Sequence, residues 1–149
     1  MNLAEIAAGQ DINEQMAGNL QTPLMASVLG GHVFIVRALL ELGADHTIPE
    51  KDGYTPMHGA GFQGRAEIAA ILMEHGVPRD APHPDGFLPF HRACWGTELR
   101  HADALRAFIK AGNDPNAPAQ NGLTCGQMTK NPHIKIILRD LANKQKEEL

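Results

Sequence analysis

A proline with a fixed neighbourhood recurs along the chain. Gly53-Tyr54-Thr55-Pro56-Met57-His58 returns as Gly86-Phe87-Leu88-Pro89-Phe90-His91, and an earlier copy is Leu20-Gln21-Thr22-Pro23-Leu24-Met25. The steps from Pro23 to Pro56 and from Pro56 to Pro89 are both 33 residues. A period of this length marks a stack of units, each of which buries its apolar face only against its neighbours. Within a copy, a Gly turn followed by Thr-Pro predicts a hairpin tip opening directly into a helix. The threonine accepts from free N–H groups at the helix start, and proline sits where its missing donor costs nothing. Gly43, Gly76 and Gly112 each close an apolar run, at intervals of 33 and then 36, so the third unit carries three extra residues. Glycine there supplies the left-handed residue that ends a helix.

Aligned on these landmarks, the segments 22–45, 55–80 and 88–114 resemble the ankyrin repeat, whose pattern is G-x-T-P-L-H-x-A, a short loop, an I-V-x-x-L-L helix and G-A-D. Gly43-Ala44-Asp45 and Thr55-Pro56-Met57-His58 carry most of the match. The resemblance implies an all-α solenoid of helix-turn-helix units joined by β-hairpin-like loops. It divides the chain into a partial N-terminal repeat (1–17), three full repeats (18–50, 51–83 and 84–119) and a C-terminal capping repeat (120–149).

Composition agrees with one folded unit: 43% hydrophobic with 20% charged is globular. The net charge of −4 lacks the basic excess that phosphate neutralisation requires, which argues against nucleic acid as partner. Cys94 and Cys125 are read as unpaired, and with no signal peptide or apolar span expected, the reading is a cytoplasmic protein, with the nucleus as the alternative, and no membrane.

Along the chain, Leu3, Ile6 and Ala7 at helical spacing predict the second helix of a broken first repeat, with Asn2, Glu5 and Gln10 on its polar outer side. Ile35, Val36, Leu39 and Leu40 predict a helix face that stacks on Ile68, Ile71 and Leu72. Two glycines in one helix, Gly59 and Gly61, weaken it by on the order of 1 kcal/mol each, so Gly61→Ala is expected to stabilise if a methyl fits. Leu88 replaces the capping threonine, and Leu88→Thr is expected to raise the melting temperature. The last helix is expected after Asn131-Pro132, with Ile134, Ile137, Leu138 and Leu141 inward.

His58 and His91 stand at equivalent positions. In the repeat this chain resembles, that histidine is structural, bonding near the helix start and the neighbouring hairpin. No HExxH or paired-ligand spacing is present, nor a GxSxG, P-loop or dinucleotide turn, so neither a cofactor nor an enzymatic activity is expected. The alternative reading is a small-ligand, metal or haem site built from His58, His91, Cys94 and His101.

The resemblance places Leu29, Phe62 and Trp95, one 33-residue step apart, at the ends of the inner helices on a concave face. Gln21, Tyr54, Phe87 and Leu123 fall on the adjoining hairpin arms, with Glu50, Lys51, Asp52 and Asp85 around them. Exposed aromatic clusters mark interaction sites, with Trp and Tyr favoured as anchors and a polar rim around them. The function expected is a protein-binding module, an adaptor or inhibitor acting as a monomer, which engages a protein or peptide through Leu29, Tyr54, Phe62, Phe87, Trp95, Asp52 and Asp85.

Overall fold

The computed structural model describes residues 3–148. Helices follow one another as α1 (Leu3–Ala7), α2 (Pro23–Gly30), α3 (Val33–Glu41), α4 (Pro56–Gln63), α5 (Ala66–Glu74), α6 (Pro89–Trp95), α7 (Leu99–Lys110), α8 (Cys125–Met128) and α9 (Pro132–Glu147). They stack in two layers. The inner helices α2, α4, α6 and α8 pack each on the next, and the outer helices α3, α5, α7 and α9 do the same behind them. Among the described residues there is no strand. The loops are hairpin-like turns tied from unit to unit by single bonds, Lys51 N–H to the Asn19 carbonyl and Gln120 N–H to the Gly86 carbonyl.

The local chemistry follows the sequence motif. Pro23, Pro56 and Pro89 each open an inner helix, and the Thr22 hydroxyl accepts from the Met25 N–H at 3.2 Å. Gly43 and Gly76 take positive φ just past the outer helices they close. Between the layers, Leu24, Leu39, Met57, Ile68, Leu72, Phe90, Leu105 and Phe108 form one continuous buried core. Asn131 braces the last unit: it is fully buried, its side-chain amide donates to the Gly96 and Glu98 carbonyls at 2.9 Å, and its oxygen caps α9 at the His133 N–H. Ile134 and Ile137 are buried beneath it, Leu138 and Leu141 half-buried.

Three expectations are corrected by the packing. A Cβ built on Gly61 would overlap the carbonyl oxygen of Pro89 at the start of α6, so there is no room for a methyl. Gly61 is what lets α4 and α6 approach. Gly61→Ala should therefore destabilise, by about 2 kcal/mol, because backbone rather than a flexible side chain has to move. A denaturation midpoint unchanged or raised would contradict this.

Leu88 lacks a hydroxyl, yet its own N–H is bonded to the His91 ring at 3.0 Å, and its side chain is half-buried against the core. The threonine that would restore a cap would also remove that packing. Leu88→Thr should leave the melting temperature level or lower it, in contrast to the rise expected from capping alone.

Cys94 and Cys125 are joined by a disulfide, with Cα atoms 5.5 Å apart on α6 and at the start of α8. Two cysteines 31 residues apart carry no pairing signal in sequence. The stacking of α8 on α6 brings them together, and the ground for placing the chain in a reducing compartment falls with it. Among the described residues no helix is long and apolar enough to cross a membrane.

Candidate partner-binding face

The histidines decide between the two readings of the site. His58 is fully buried at the third position of α4. Its Nδ1 accepts from the Thr55 N–H at 3.0 Å, which leaves Nε2 as the protonated nitrogen that donates to the Ala81 carbonyl on the following loop at 2.8 Å. His91 repeats this geometry with the Leu88 N–H and the Ala117 carbonyl. His101 does so at the start of α7, with the Glu98 N–H and the Phe62 carbonyl.

Both ring nitrogens of each are thus engaged by backbone. Burial pushes the His58 imidazole down to about 4, with the charge of Arg92 adding to it against the opposing pull of the Ala81 bond. Burial lowers His91 and His101 in the same direction. These are neutral structural rings: His58 and His91 tie their helix starts to the hairpin loop that follows, the role implied by the resemblance, and His101 ties the start of α7 to the end of α4. Cys94, the fourth member of the ligand alternative, is in the disulfide, and the described residues hold no group of three metal-ligating side chains.

The aromatic side chains are organised by a residue outside the expected contact set. Arg92 on α6 is buried, 3% exposed. Its guanidinium carbon lies 4.5 Å from the Tyr54 ring centroid and 5.6 Å from that of Trp95. One of its nitrogens donates to both oxygens of Asp85 at 2.8 Å. A buried cation needs its counter-charge in good geometry, and here that counter-charge is a hairpin residue that also accepts from the Phe87 N–H at 3.0 Å. Partial burial would raise the Asp85 carboxyl, but the Phe87 N–H and Arg92 outweigh it and hold the carboxyl below its usual range.

The assembly extends to both sides. The His83 ring stacks on Tyr54, centroids 4.2 Å apart and 3° from parallel, while donating to the Asp52 carbonyl. Phe87 meets Trp95 edge-on at 4.8 Å. Arg92 therefore joins Tyr54, His83, Asp85, Phe87 and Trp95 into one connected group across two units. A sequence signal existed: Arg92 stands 33 residues after Gly59 and 66 after Ala26. A charged residue occupies a position that the other two full repeats fill with Gly and Ala.

The remaining members are placed as follows. Phe62 is 54% exposed and Trp95 38%. The ring packed on Trp95 is that of Phe87. Leu29 is half-buried and lies over Gly59, whose Cβ would meet its Cδ2 at 3.1 Å. Asp52 and Lys51 are exposed, Gln21 is half-buried and Leu123 is exposed. Glu50 is occupied in its own turn, accepting from the Asp52 and Tyr54 N–H groups.

A family model described as ankyrin repeats (3 copies) matches residues 2–82, more than half of the chain. The chain belongs to the ankyrin-repeat family. Its repeats are, as a class, protein–protein interaction modules and typically non-enzymatic. No curated protein matches the chain.

Proposed function

We propose that this chain is an adaptor or inhibitor that captures a segment of another protein on the face formed by Leu29, Tyr54, Phe62, Phe87 and Trp95, with Asp52 and Asp85 at its polar rim. The observation that carries this reading is the buried Arg92 beneath the aromatic side chains, paired with Asp85 at the rim. A buried cation adds little to stability over an apolar filling, but here it holds Tyr54 and Trp95 against itself, and held rings lose little freedom on binding. Trp95 remains partly open and Phe62 more so, the combination of held base and free surface that suits an anchor.

Affinity capture with the wild type beside Phe62→Ala and Trp95→Ala tests the reading. Each substitution should weaken capture about thirtyfold, from a loss of about 2 kcal/mol. Phe62→Ala should leave the melting temperature nearly unchanged. Trp95→Ala should lower stability by about 1 kcal/mol as well, because its ring edge on Phe87 is lost. Capture undiminished in both variants would overturn the reading.

A further inference from the structure

In a regular stack, each inner helix is covered on both sides. Gly59 of α4 lies against Met25 and Leu29 of the preceding helix α2, so the register position it shares with Ala26 and Arg92 looks toward the N-terminal neighbour. Gly59 and Arg92 are buried, whereas Ala26 is only half-buried. Pro56 and Pro89 are likewise buried, and Pro23 is half-buried. In the outer layer, Ile68 is 1% exposed and Ile35, 33 residues earlier, is 36% exposed. The five-residue α1 thus leaves the N-terminal side of α2 and α3 incompletely covered. The result is a cavity of about 630 Å³ whose lining includes Ile6, Met16, Ala26, Ile35 and Leu39. Its charged lining residues are acidic, Glu5 and Glu14, with no Lys or Arg among them. Residues 1–18 as a whole carry three acids and no base.

The opposite end of the stack has the complementary character. α9 buries Ile134 and Ile137 and turns Lys135, Ile136, Arg139 and Asn143 outward, all of them exposed. From Lys130 to Glu148 the chain has five bases and three acids, two of the acids at its very end, Glu147 and Glu148. Ile136 stands among these bases as an exposed apolar side chain. Among the described residues Arg139 is paired with Asp140, at 3.4 Å with both side chains mostly in solvent, a pairing too weak to hold it there.

We infer that the N-terminal cavity is a docking site for a second copy of this chain, which enters with the exposed face of its helix α9. Ile136 fills part of the apolar cavity while Lys135 and Arg139 face the Glu14 side. The contact is head-to-tail, joining two different surfaces, so each copy keeps one end open and association continues beyond a dimer. It adds a further outer helix to the stack, which is the surface a solenoid end exposes unless a polar cap covers it.

Sedimentation velocity on the full chain tests this. At low salt, the weight-average mass of the wild type should climb with concentration past that of a dimer, and added salt should suppress it. Glu14→Lys, and separately Lys135→Glu combined with Arg139→Glu, should each weaken association about tenfold or more by opposing like charges. An equimolar mixture of the two variants should recover it, because every groove then meets a helix of opposite charge. Circular dichroism verifies that the variants fold. A chain that stays monomeric at the highest concentration overturns the proposal, as does a mass that levels at a dimer. Association removed by Trp95→Ala and indifferent to the charge variants would assign it to the aromatic face and also overturn it. So would a monomer that instead binds an added basic helical peptide of unrelated sequence, since the groove then belongs to another protein.

Discussion

Acidification from pH 7 to pH 4 should remove on the order of 3 kcal/mol of stability through His58 alone. The imidazole is held down to about 4 in the folded protein by its burial, against an ordinary value near 6.5 in the unfolded chain. Between these two values the unfolded state binds the extra proton and the folded state does not. The stabilisation is fully present above about pH 6.5, declines as the pH falls and is exhausted near pH 4. His91 and His101, shifted in the same direction by burial, add to the loss as the pH falls below the ordinary histidine value.

The chain supplies its own control. At the start of α8 the acceptor for the Thr124 N–H is the side-chain oxygen of Gln127, at 2.9 Å, in the place His58 fills beside Thr55. His58→Gln should therefore keep the cap without a titrating group, at some cost from the weakened bond to Ala81. Urea midpoints measured from pH 7.5 to 4 should fall less steeply for this variant than for the wild type. Equal slopes would show that the buried ring is not the source.

The ring's role was legible because it repeats: Thr-Pro-x-His states a helix start and an acceptor three residues in, and the structure uses it at His58 and again at His91. Leucine in place of threonine at position 88 reads as a lost cap, but the motif's cap and its histidine acceptor are separable, and only the structure shows the ring bonded to the Leu88 N–H. Gly61 reads as weakness in sequence because helix propensity is a property of one helix, whereas the reason for the glycine lies in the Pro89 carbonyl of another. Arg92 is hidden in sequence for a related reason. Charge in a helix reads as solvated surface, and nothing local reveals that Asp85, seven residues earlier, closes over it. Period and helix boundaries are local quantities and survive in sequence. Contacts between units depend on which residues the stack sets opposite each other, and a register comparison recovers these only where one copy breaks the pattern of the rest.

Reducing the Cys94–Cys125 disulfide should lower stability by about 3–4 kcal/mol, the loop-closure value for a separation of this size, here 31 residues. The loop it closes contains α7 and the hairpin that follows, and the helix it anchors, α8, has only four residues. So short a helix has almost no stability of its own, and Cys125 is its buried residue. The loss should accordingly be uneven. Hydrogen exchange in α8 and α9 should accelerate on reduction, while α2 to α5, which share neither cysteine, keep their protection. Both sulfurs belong to fully buried residues, so the reductant should act only as that end of the stack opens. Urea unfolding with and without a phosphine reductant measures the total, and Cys94→Ala with Cys125→Ala should reproduce the reduced behaviour. Two thiols alkylated in the denatured, unreduced protein would show that the bond does not form. A midpoint indifferent to reductant would show that packing of α8 on α6 holds the end of the stack without it.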